Sequence, residues 1–123
     1  MHVFLWIVQA VLAIAFGMAG VMKSTQPKAK LQPRLPWVED FSPNTVRFIG
    51  VVELLGAIGL ILPAATGIAP ILTPLAATGL AIVMVLAAGT HVRRKEPSGV
   101  AVNAVLFALA ALVAWGRFGP YSW

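Results

Sequence analysis

Residues 46–62 read VRFIGVVELLGAIGLIL, apolar enough to cross a bilayer and yet carrying Glu53 near the middle. A carboxylate at that depth is expensive, roughly 2.5 to 3.5 kcal/mol uphill at a helix centre on insertion scales. A chain that keeps it must turn it inward, neutralise it or use it. Which other residues reach Glu53 is therefore the functional question.

The rest of the chain suits the same apolar solvent. Of 123 residues, 59% are hydrophobic and 11% charged, against about 25% charged in soluble domains; mean hydropathy is +0.89. At this length the economical reading is one domain over residues 1–123. The formal charge of +5 points to lipid headgroups rather than nucleic acid, because the basic residues lie between apolar runs. With no cysteine, disulfides, thiolate chemistry, Cys-ligated iron–sulfur or zinc sites and c-type haem attachment are excluded. Two histidines in all argue against a bis-His haem.

Four spans follow. Residues 3–22 hold no charge and match the ~20 residues a membrane helix needs. Nothing basic precedes them and the core exceeds the ~7 to 15 residues of a leader, so a retained helix is predicted. Gln9, Ala13, Gly17 and Gly20 share one face, with Lys23 just beyond. Residues 23–43 are a proline-broken loop (Pro27, Pro33, Pro36, Pro43) made amphipathic by Leu31, Leu35, Trp37 and Phe41, with Trp37 expected at the membrane interface. Ser42-Pro43 then reads as an N-cap and a first-turn proline. The second helix is expected over 44–62, ending at Pro63, with a tight turn at 64–67. The third is expected over 68–92 with Pro70 and Pro74 in its first turns, and the fourth over 99–116, carrying Asn103. The tail from Arg117 is aromatic and interfacial. The fold class is an all-α, antiparallel four-transmembrane-helix bundle.

Charge predicts the orientation. Lys23, Lys28, Lys30, Arg34, Arg47, Arg93, Arg94 and Lys95 lie on or near the loops 23–43 and 93–98, and Arg117 alone on the other side. The positive-inside rule makes this a multi-pass protein of the cell membrane, both loops cytoplasmic and both termini outside.

The spans gather Glu53, His91, Asn103 and, more distantly, Gln9 into an interior polar patch, with Arg47 and Lys23 near the surface. Glu53 lies about 9 Å along its helix from Arg47 and about 120° around it, so the two need not pair. His91 or Asn103 is the expected partner of Glu53, then Gln9. With no full positive charge expected at that depth, desolvation favours the neutral acid. Each residue has a plainer reading. Arg47 and Lys23 read first as snorkelling anchors, His91 as an interface residue, Asn103 as helix–helix glue, and Glu39-Asp40 as a solvated loop patch. The sequence marks no catalytic residue and no metal site.

Four segments together resemble the DoxX-like membrane proteins: G-x-x-G-x-x-K (Gly17, Gly20, Lys23), R-x-I-G-x-x-E followed by L-L-G-A-I-G-L (Arg47, Ile49, Gly50, Glu53, Gly56), T-H-x-R-R (Thr90, His91, Arg93, Arg94) and Asn103. The resemblance covers essentially the whole chain. It implies a four-helix integral membrane bundle, in a family associated with quinone-linked sulfur oxidation, membrane redox complexes and membrane-protein assembly. Arg47, Glu53, His91 and Asn103 carry over only as family-like polar positions.

Three functions are compatible with this. The first expectation is a non-enzymatic membrane subunit or assembly factor, which needs only a stable bundle and a helix face for a membrane-protein partner or a second copy of the chain. The second is a quinone- or lipid-binding accessory subunit of a membrane redox complex, with no intrinsic cofactor and the Glu53–His91–Asn103 patch holding a polar head. The third is a small proton-coupled transporter using Glu53, the least favoured because no inverted repeat is visible. Lipid is the expected surroundings in all three, and nucleic acid is not an expected partner.

Overall fold

The computed structural model describes residues 1–121 apart from Gln32 and Arg34, without the side chains of Lys28 and Asp40. Arg34 of the charge count and Ser122 and Trp123 of the tail thus lie outside the described residues.

The chain forms α1 (His2–Thr25), α2 (Lys28–Leu31), a 3-10 helix (Pro36–Asp40), α3 (Pro43–Thr66), α4 (Leu72–Arg93) and α5 (Pro97–Phe118). The four long helices have the length and apolar composition to cross a membrane; at 1.5 Å per residue each exceeds the ~30 Å of a hydrocarbon core. They close a ring in which α1 packs on α3, α3 on α4, α4 on α5 and α5 back on α1. The fold is a helical membrane bundle.

Its core is Leu5, Leu12 and Phe16 of α1, Ala57 and Leu60 of α3, Ala77, Leu80 and Met84 of α4, and Ala110 and Val113 of α5. The outer surface is as apolar as the interior: Ile14, Met18, Phe48, Leu55, Ile82, Leu86 and Val105 all point outward and are exposed. Hydrophobicity therefore cannot decide which face of these helices turns in. Shape and polar pairing decide it.

Shape acts first where α1 crosses α3. A Cβ on Gly20 would stand 2.7 Å from the Gly50 carbonyl oxygen, and one on Gly50 would stand 2.6 Å from the backbone nitrogen of Ser24. No side chain fits between the two backbones there, so the contact is a small-residue crossing of the kind that drives helix association in lipid.

The second helix does not end at Pro63, as expected, but runs through it to Thr66, capped by Gly67 at φ 72°. A mid-helix proline takes away the N–H that would bond the carbonyl four residues back. Here the orphaned carbonyl is that of Gly59, and the Thr73 hydroxyl of α4 donates to it at 2.8 Å. With the freed carbonyl repaired from a neighbouring helix, the proline is tolerated. The turn accordingly falls later than predicted, and α4 starts at Leu72 rather than residue 68. Ser42 and Pro43 do start α3 as read, the Ser42 side chain accepting from the Thr45 N–H.

The 23–43 segment is more ordered than a loop. α1 itself runs to Thr25, and α2 and the 3-10 helix fold Leu31 and Val38 onto Val46, with Leu35, Trp37 and Phe41 packed around them. This small apolar cluster is a cover over one end of the bundle.

Gly50→Ala should lower stability in detergent by about 1–3 kcal/mol, the usual cost of overpacking, because the new methyl meets backbone rather than a yielding side chain. Gly79→Ala, where a Cβ meets nothing within 4 Å, should be neutral or stabilising by helix propensity. Thermal melting of both variants tests this, and equal melting temperatures would refute the assigned crossing.

Candidate functional site

Glu53 is 2% exposed. Its partner is none of the residues expected from the sequence but Lys23, whose Nζ donates to Glu53 Oε1 at 2.6 Å. The crossing explains how. Gly20 and Gly50 bring α1 onto α3, and Lys23, one turn beyond Gly20, folds down onto α3 instead of snorkelling outward. The premise that no full charge reaches that depth therefore fails. Two opposite charges close the contact, and the ammonium also lies 5.1 Å from the Trp37 ring centroid, a cation–π contact. Trp37 is in turn edge-on to Phe41 at 5.6 Å. The cover is thus tied to the buried pair.

Asn103 is 8% exposed and does not touch Glu53; its Nδ2 donates to Met84 Sδ at 3.4 Å. A thioether only accepts, which fixes the amide orientation and turns Oδ1 the other way. Oδ1 is buried with no hydrogen-bond partner.

His91 also bonds elsewhere, Nδ1 lying 2.8 Å from Glu96 Oε1, while its ring lies against Gly99, where a Cβ would come within 2.5 Å of Nδ1. Arg94 donates to Glu96 Oε2 at 3.3 Å and to Glu39 Oε1 at 2.9 Å. Glu39, expected to be merely solvated, thus joins the cover to the α4–α5 turn, whereas the Asp40 side chain lies outside the described residues. The hydrogen bond from His91 first, and then the Arg94 guanidinium, hold the Glu96 carboxyl below its ordinary value of 4.5.

Gln9 is a correction of a different kind, for it sits at the opposite end of the bundle. Its Nε2 donates to the Leu60 carbonyl at 2.6 Å and its Oε1 accepts from Arg117 Nε at 2.8 Å. Arg117, expected in an interfacial tail, is 2% exposed. Its Nη1 bonds His2 Nδ1 at 2.6 Å and the Tyr121 carbonyl at 2.9 Å. The signal that locates Arg117 is in the sequence: α5 continues past residue 116, and Asn103, Ala110, Val113 and Arg117 fall on one buried stripe. Arg47 is exposed on α3 and takes no part in either cluster.

Between the pair and the cover lies a cavity of about 550 Å³. Lys23, Glu53, Thr90, His91, Arg93 and Asn103 supply its polar lining, and Phe16, Leu35, Trp37, Phe41, Val83 and Leu106 much of its apolar wall. Phe48, Leu86 and Val102 also line it and are at least 58% exposed on the outer surface, so the cavity opens sideways towards lipid. Chemically it is an apolar chamber with a few polar side chains in its wall. No group of three or more metal-ligating side chains occurs among the described residues.

Lys23→Met should cost about 3–5 kcal/mol, the cost of stranding one charge of a buried pair, whereas Lys23→Met with Glu53→Leu should recover most of that loss. A double-mutant cycle on detergent melting tests it. Losses that simply add in the double variant would show that the pair does not act as a unit.

A family model described as the DoxX-like family matches residues 7–113, most of the chain. No curated protein and no solved structure matches it.

Proposed function

The chain belongs to the DoxX-like family, a small multi-pass membrane protein, and from that premise we propose that it binds an amphiphile of the bilayer, quinone- or lipid-type, as an accessory subunit. The observation that carries the reading is the cavity: about 550 Å³, mostly apolar, with Lys23, Glu53 and Asn103 among the few polar side chains of its wall. Small-molecule sites have this composition, apolar walls with a few placed polar groups. The lipid-facing lining residues favour entry from the bilayer rather than from water. Any electron carrier or client protein is then supplied by a membrane partner.

Lipid and quinone content of protein purified in mild detergent, measured by mass spectrometry after solvent extraction, tests the proposal. Wild-type protein should retain a defined amphiphile, and Ala87→Trp, which fills the cavity from its wall, should retain several-fold less at unchanged melting temperature. Equal retention by the two would sink the reading.

We also propose that the covered end of the bundle is cytoplasmic and that both termini lie outside. The support is the charge bias, with Lys23, Lys30, Arg47, Arg93, Arg94 and Lys95 at the covered end and Arg117 at the other. In this cysteine-free chain, single cysteines at Lys30 and Ser98 should resist impermeant thiol reagents in intact cells, and one at Pro120 should react. The reverse pattern would invert the topology.

A further inference from the structure

We propose that the ligand of this cavity has an anionic head, a carboxylate or a phosphate on an acyl chain, rather than the neutral head of a quinone or a glyceride. The proposal rests on the amphiphile reading above and narrows it by charge. Of the titratable side chains in the cavity wall, Lys23 and Glu53 form an ion pair and cancel. His91 is turned through Nδ1 to Glu96, which is not part of the wall. Arg93 remains: it lines the cavity, and no ion pair among the described residues includes it. The wall therefore carries a surplus positive charge. Its surroundings have the same sign, since of the chain's nine Lys and Arg all but Arg117 belong to the covered end, against four Asp and Glu.

The donors of the wall suit an anion as well. An ammonium has three N–H groups, and Lys23 gives one of them to Glu53. Within that pair the lysine is the more accessible side chain, 12% exposed against 2%, so the pair offers its cationic member. Arg93 Nη2 donates to Thr90 Oγ1 at 3.4 Å, which holds the guanidinium against another residue of the wall. Its remaining N–H groups have no partner among the described residues. A guanidinium fork matches the paired oxygens of a carboxylate or phosphate, and such charge-assisted bonds are roughly twice as strong as neutral ones. A quinone or glyceride oxygen would gain only one charged partner's worth of that advantage, with no charge of its own. The sideways opening lets the acyl chain stay in the bilayer while the head lies beside Lys23 and Arg93.

The experiment measures binding to the full-length protein in phosphatidylcholine nanodiscs, corrected for uptake by empty nanodiscs. The probes are oleoyl lysophosphatidate with monoolein as its neutral counterpart, and oleate with methyl oleate, at a pH where both anions are ionised. The anions should bind about tenfold more tightly than their counterparts, a difference of about 1.4 kcal/mol. Arg93→Gln, checked for an unchanged melting temperature, should abolish most of that preference, and Arg93→Lys should keep most of it. Arg47→Gln removes a cation at the same end that is exposed on α3 and outside the cavity wall, and should leave the preference intact. A preference shown by lysophosphatidate alone assigns a phosphate head, and one shown by oleate alone a fatty acid; either supports the proposal. Neutral probes that bind the wild-type protein as tightly as the anions would overturn it while leaving an amphiphile site in place. So would a preference that survives Arg93→Gln, or one that Arg47→Gln reduces as much. If no probe binds, the amphiphile reading falls as well.

Discussion

The register of the helices at the covered end of this bundle is set by one ion pair. Lys23 and Glu53 stand on different helices, 30 residues apart in sequence and 2.6 Å apart in space. Desolvating two charges costs several kcal/mol each, and their attraction offsets this only when the geometry is good. The helices are therefore not free to rotate or slide, since any register that separates the pair leaves both charges in apolar surroundings. The glycine crossing supplies the close approach and the ion pair supplies the register. In a bundle whose outer face is as apolar as its core, such a device does what amphipathicity does in water.

The pair also sets the position of the cover. Trp37 lies over the Lys23 ammonium, and the other edge of the cover is held where Arg94 bridges Glu39 and Glu96. The cover is thus fastened to the buried pair and to the α4–α5 turn, besides the packing of Leu31 and Val38 on Val46 of α3. The cavity lies beneath these attachments, with Phe16 and Leu106 in its wall.

The spans and the start of α3 were legible in the sequence because they follow from local rules: uncharged length, a serine cap and a first-turn proline. Pro63 was misread as a stop because the donor that repairs its helix, Thr73, comes from another element. The partner of Glu53 was misassigned for a related reason. Depth along a helix predicts which residues share a level, but a lysine side chain bends through several ångströms, and which way it bends depends on the crossing. The sequence groups Gln9 with the Glu53 patch, although it lies toward the other end of the bundle, beside Leu60. There, about 10 Å along α3 from Glu53, its amide meets a carbonyl and a guanidinium.

One rule covers most of the polar groups inside this bundle. Where a polar group is freed or buried in this apolar interior, another helix reaches in to satisfy it. Thr73 of α4 serves Gly59 of α3, Gln9 of α1 serves Leu60 of α3, Arg117 of α5 serves Gln9, and Lys23 of α1 serves Glu53 of α3. Each bond ties two of the four long helices, so the polar groups hold the bundle together as much as the packing does. Among the described residues one buried side-chain acceptor, Asn103 Oδ1, departs from the rule, and it belongs to a residue that lines the cavity. Burying an acceptor without a donor costs about 1–3 kcal/mol. The bundle leaves that one hydrogen bond unmade, and the four made between its helices are what fix their register.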